Sequence, residues 1–134
     1  MFFLAKYENA TTNAADTQYF EAIESEAIEN GEALVLKNGK LTKCSETEKP
    51  QFISMKKLSA AEEKRRIPCV RTDENQLWRV PVSADPTALK PGDKVTVGDD
   101  ALTVTATASS SGVITVDDIG EAKKADDEIY VRII

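Results

Sequence analysis

Apolar residues occur along this chain in short runs of four to six, separated by turn-forming residues, which is the pattern of a domain built from strands. The run Ala33, Leu34, Val35, Leu36 is followed by Asn38-Gly39 and then by a second strand-like run over 40–44. An Asn-Gly pair between two such runs predicts a tight hairpin, because both central residues of the turn need positive φ. Pro50 opens a further strand over 51–55. Strands are expected at 67–71 and 76–82, on either side of a turn at 73–75. Pro81 has no N–H to give to a ladder, which predicts an edge or a bulge there. Pro91-Gly92 turns the chain into a strand at 94–97. Gly98 and its two aspartates lead into one at 102–107. Ser109 to Gly112 turns into one at 113–116, and the last runs over 129–134.

Two segments carry mixed signals. In residues 19–29, Phe20, Ile23 and Ala27 have helical spacing, whereas Glu21, Ile23, Ser25 and Ala27 alternate as in a strand. The expectation is an extended segment leading into the first clear strand. In residues 58–66, Ser59 and Glu62 have capping-box spacing, so one or two helical turns are predicted, ended by Pro68. Ahead of both, Phe2, Phe3, Leu4 and Tyr7 precede a polar stretch without period. Residues 1–18 therefore read as an N-terminal arm and residues 19–134 as the domain. The arm either folds back on that domain or is ordered by a partner. The fold class expected is all-β, a small β-barrel or sandwich with an extended N-terminal arm.

A chain of 134 residues is long enough for one modest core. It contains no histidine, which removes serine–histidine and cysteine–histidine nucleophile pairs and imidazole zinc sites. Cys44 and Cys69 lie in apolar, strand-like surroundings and read as buried thiols. Aspartates gather at 99–100, 117–118 and 126–127, each in an expected turn where Asp caps its own backbone. None follows the calcium-loop spacing, and no glycine-rich phosphate loop is present. No catalytic residue, cofactor or metal is therefore expected, and the chain is not expected to be an enzyme. No apolar run spans a membrane and no secretory leader is recognisable, so synthesis in a cytoplasm is expected.

Charge is unevenly placed. The net charge is −6, yet residues 37–79 hold eleven bases against six acids, a local excess of +5. The candidate interface is drawn from that stretch and from the arm: Lys56, Lys57, Lys64, Arg65 and Arg66, with Phe2, Phe3 and Tyr7 as apolar anchors. An acidic protein is the partner such a basic region fits. Nucleic acid is not expected, because the molecule as a whole is acidic and few aromatics interleave the bases. Trp78, the single tryptophan, reads as a core residue.

The stretch Ala27-Ile-Glu-Asn-Gly-Glu-Ala-Leu-Val-Leu-Lys-Asn-Gly-Lys-Leu41 resembles the opening of small capsid decoration (cement) proteins of tailed bacteriophages. Three further pieces follow in the same order: Pro50-Gln-Phe-Ile53, Leu89-Lys-Pro-Gly-Asp-Lys-Val-Thr-Val97 and Asp127-Glu-Ile-Tyr-Val-Arg-Ile133. The basic stretch at 56–66 departs from the shorter Ala/Gly-rich turn of that family. The resemblance implies a structural virion protein on the outer capsid surface, made in the host cytoplasm. It would bind the major capsid protein, bridge neighbouring subunits and stabilise the shell, with self-association into a homo-oligomer also open. Two other readings stand beside it: a head–tail connector or tail structural protein, and a cytoplasmic binding module.

Overall fold

The computed structural model describes residues 1–7 and 17–134. The chain forms ten strands in two antiparallel sheets, and no helix occurs among the described residues. The strands are β1 (Phe3–Tyr7), β2 (Thr17–Glu21), β3 (Ala33–Lys37), β4 (Lys40–Lys43), β5 (Phe52–Ser54), β6 (Arg66–Arg71), β7 (Gln76–Pro81), β8 (Lys94–Val95), β9 (Ile114–Asp118) and β10 (Glu128–Arg132). One sheet has the order β1-β7-β10-β9-β8 and the other β2-β6-β5-β3-β4. The two pack as a sandwich. The second sheet curls until Ala22, just past β2, bridges Leu41 of β4, but neither sheet closes into a barrel.

Period-two alternation gives the second sheet two apolar faces. Ala33, Val35, Ile53 and Val70 point to the first sheet. There they meet Trp78, Val80, Ile114, Val116, Ile129 and Val131 in the main core. Leu34, Leu41, Phe52, Ile67 and Cys69 point the other way and form a second core with Ala22, Ile28 and Leu58. The cover over this second core is loop. Ile28 and Leu58 exchange backbone hydrogen bonds of 2.9 and 2.7 Å, which ties the segments at 22–30 and 55–65 together.

The Asn-Gly hairpin forms as the sequence predicts, with Lys37 opposite Lys40 and φ of 52° at Asn38 and 78° at Gly39. Trp78 is 2% exposed and belongs to the main core. Several expectations change. At its start the chain is part of the sandwich, not an arm. β1 pairs with β7, Phe2 is 2% exposed, and its N–H donates to Gly31 O at 2.9 Å. Phe2 and Leu4 lie on the same face of the strand and join the main core, which is why this end docks. The rest of the expected arm, 8–16, lies outside the described residues, and β2 begins at Thr17, ahead of the expected boundary at 18–19.

The helical turns expected at 58–66 are replaced by irregular loop with a single turn between Ser59 and Glu62. Leu58 is pulled into the second core, and the Arg65 guanidinium takes the carbonyls of Ser59 and Glu62. The strand expected at 102–107 is also irregular. The Asp100 carboxylate accepts the N–H groups of Leu102 and Thr103 and the Thr103 hydroxyl, and Val104 alone bridges Val82 and Val97. Pro81 ends an interior strand instead of marking an edge. It lies past the reach of β1, whose pairing with β7 stops at Arg79, so no ladder partner is lost. β2 stops at Glu21 and the chain turns at Ser25, where φ is 63°.

Candidate functional site

The basic stretch does not form one patch. Arg65 is structural: it donates from Nη1 to Ser59 O (2.8 Å) and Glu62 O (3.3 Å), and from Nη2 to Ile23 O (2.8 Å) and Glu26 O. One guanidinium thus closes the orphan carbonyls of both loops over the second core. An Arg65→Met variant should lose about 2 kcal/mol of stability, because desolvated carbonyls are left without a donor. A lysine there should not restore it, lacking the fork that reaches both loops. Urea unfolding of the three proteins checks this, and a wild-type midpoint for Arg65→Met would show that the loops hold without the clamp.

Lys57 is exposed and pairs with Glu29 at 3.7 Å. Lys56, Lys64 and Arg66 are exposed and make no ion pair among the described residues. Of the aromatic anchors, Phe2 is buried and belongs to the main core. Phe3 is 46% exposed, with the Arg79 guanidinium 4.6 Å above its ring. Arg79 is itself held by Glu128 at 3.1 Å. The backbone of Tyr7 pairs with Gln76 at the end of β1, and its side chain lies outside the described residues.

What brings two of these residues together is the face of the β2–β6 ribbon. Residues opposite each other in an antiparallel pair share a face. Thr17 lies opposite Val70, Tyr19 opposite Pro68, and Glu21 opposite Arg66, all on the side that looks toward the first sheet. The first sheet covers Val70 but does not reach across the others: Tyr19 is 53% exposed and Thr17, Glu21 and Arg66 are exposed. Met55 extends this surface. Its N–H donates to Pro68 O at 3.0 Å, its sulfur accepts from the Thr17 hydroxyl at 3.7 Å, and Lys56 follows it in the chain.

Where the sheets part beside β1, a groove of about 300 Å³ opens, lined mainly by Met1, Phe2, Leu4, Ile53, Met55 and Trp78. Six large hydrophobic residues are exposed among those described, and four of them, Met1, Phe3, Tyr19 and Met55, border this groove or the ribbon face. Such clustering marks an interaction surface, whereas single exposed apolar residues do not. A second cleft, of about 530 Å³ under Lys40 and Arg65, is walled by Glu21, Glu24, Glu62 and Glu63 and is polar.

The two cysteine thiols are held in the protonated form. Burial pushes the Cys44 thiol up to about 12, with Glu48 adding to the shift, and the Cys69 thiol up to about 11. Both are free, buried and protonated at neutral pH. Asp100, Asp118 and Asp127 cap turns as their positions suggest, whereas Asp117 lies within β9 and accepts from Arg132 Nε at 3.0 Å. Asp118 accepts from Gly120 N–H at 3.0 Å, and Asp127 from Lys123 N–H at 2.9 Å and Lys124 N–H at 3.2 Å. The site that sequence reasoning missed is the groove. Its walls come from residues 1–4, 30, 53–55, 70 and 78, and no local pattern connects them.

No protein-family model matches the chain, and no curated protein matches it in sequence. Its fold is similar to that of a solved structure, the head fiber gp8.5 N base of bacteriophage phi29. The two share 17% identity at a TM-score of 0.61, over 89% of this chain and 95% of that one. The likeness is one of fold.

Proposed function

We propose that this chain is a structural protein of a bacteriophage virion that binds the outer surface of the capsid and stabilises the shell by bridging capsid subunits. The observation that carries the reading is the fold shared with a phage head fiber base along most of both chains. The strand-and-turn motifs that resemble capsid decoration proteins support the same assignment. Buried, protonated thiols and turn-capping carboxylates suit a role in binding better than one in catalysis. The fiber-base likeness also favours a second reading within the same class, in which the chain seats a projection on the capsid. Many copies of modest area each would hold such a protein on a lattice by avidity.

The test is sedimentation of the native source material, with the chain traced by mass spectrometry. It is expected to pellet with particles of megadalton size, at many copies per particle. A low, ring-like copy number would move it to a connector or tail. Recovery in the light fraction alone would overturn the virion reading in favour of a cytoplasmic binding module.

A further inference from the structure

We propose that the uncovered β2–β6 face, with the groove beside β1, docks an acidic, extended segment of the capsid shell protein that seats one apolar side chain against Met55. The inference rests on the virion reading above and gives that reading its contact surface.

Three observations fix the occupant's chemistry. The first is charge. The molecule carries −6 overall, yet Lys56, which follows Met55 in the chain, and Arg66, on the face of Tyr19 and Pro68, make no ion pair among the described residues. Their neighbours Lys57 and Arg65 are already engaged by Glu29 and by backbone carbonyls. Glu21 stands opposite Arg66 on this face, and with Lys56 the surface still keeps an excess of one positive charge beside an apolar strip, which fits carboxylates and disfavours a basic partner. The second is shape. β2 stands at the end of its sheet and pairs with β6 over five consecutive residues without a bulge, so its outer side suits an extended segment. The third is the groove. At about 300 Å³ it is small for a folded surface and of the size for a side-chain anchor. Its Met55 wall is half exposed and can repack around the entering group.

The experiment is co-sedimentation of the full chain with capsids purified without it, across a range of salt concentrations. Wild-type protein should bind and weaken as salt rises. A Lys56→Glu, Arg66→Glu double variant and a separate Met55→Asp variant should each bind at least about tenfold more weakly. Both change exposed side chains, so thermal melting should stay near wild type. The charge variant alone decides the matter if Met55→Asp does not fold. Unchanged capsid binding by the folded charge variant would overturn the docking face and leave the virion reading standing. Wild-type protein that ignores capsids would overturn both. A gel shift with double-stranded DNA that the charge variant abolishes would reassign the face to nucleic acid and also overturn the proposal.

Discussion

Phe2→Ala is expected to destabilise the protein by about 3–5 kcal/mol, the range for removing a fully buried aromatic side chain. Phe2 is 2% exposed and meets Trp78 edge-to-face, with ring centroids 6.4 Å apart and planes at 79°. The loss combines the transfer free energy of the ring, the cavity left beside Trp78 and the aromatic pair itself. It also weakens the docking of β1, whose entry is fixed by the hydrogen bond from Phe2 N–H to Gly31 O. Gly31 can make that approach only as glycine. Its φ is +79°, and a Cβ there would lie 2.4 Å from Met1 Cβ. Domains of this size are stable by about 5–15 kcal/mol, so the substitution would remove about a fifth or more of the total. Phe3→Ala is the control: Phe3 is half exposed and should cost under about 1 kcal/mol. Urea unfolding followed by Trp78 fluorescence reads both. Equal midpoints for Phe2→Ala and wild type would mean that the N-terminal strand does not contribute to the core.

That strand shows how far the sequence could be read and where it stopped. Alternation in residues 2–4 says that one of Phe2 and Phe3 faces inward, but it does not say which. The choice is made by Gly31, 29 positions away, where the backbone comes close enough to accept the Phe2 N–H. The Asn38-Gly39 hairpin was legible because its whole cause lies within four residues. The segment at 102–107 alternates as well as any strand in the chain, yet it is irregular. Its bridges to the neighbouring segments run through Val104 as isolated pairs, and the Asp100 carboxylate competes successfully for the N–H groups of Leu102 and Thr103 that a ladder would use. The second core was illegible for a related reason. Phe52 and Leu34 signal burial, but only the fold shows that loops, not a third sheet, cover them. The basic stretch shows the limit of composition. Composition marks five cations, and only tertiary structure separates the clamp Arg65 from the exposed Lys56 and Arg66.

Glu32→Gln is expected to stabilise the protein by about 2–3 kcal/mol at pH 8 and to have no effect near pH 4. Glu32 is 4% exposed at the start of β3, on the side of the second core, and its Oε2 has no hydrogen-bond partner. Its Oε1 accepts a long contact of 3.4 Å from Glu29 N–H. Burial raises the carboxyl from its ordinary 4.5 to about 7, and Glu26 and Glu29 add to the rise, while Lys43 and the Glu29 N–H oppose it. A folded value above the unfolded one means that folding takes up a proton between pH 4.5 and 7. The neutral acid costs nothing extra below pH 4.5, and stability falls as pH rises from 4.5 to about 7, where the unfolded chain ionises before the folded one, and levels off above that. The interval between 4.5 and about 7 corresponds to about 3 kcal/mol at full ionisation. Glutamine keeps the shape without the charge, so it removes the penalty where the penalty exists and nowhere else. Chemical denaturation of both proteins between pH 4 and pH 8 should give curves that coincide at the acid end, separate between pH 5 and about 7, and then run level. Curves that stay parallel over the whole range would show that the Glu32 carboxylate is ionised in the folded protein and solvated within it.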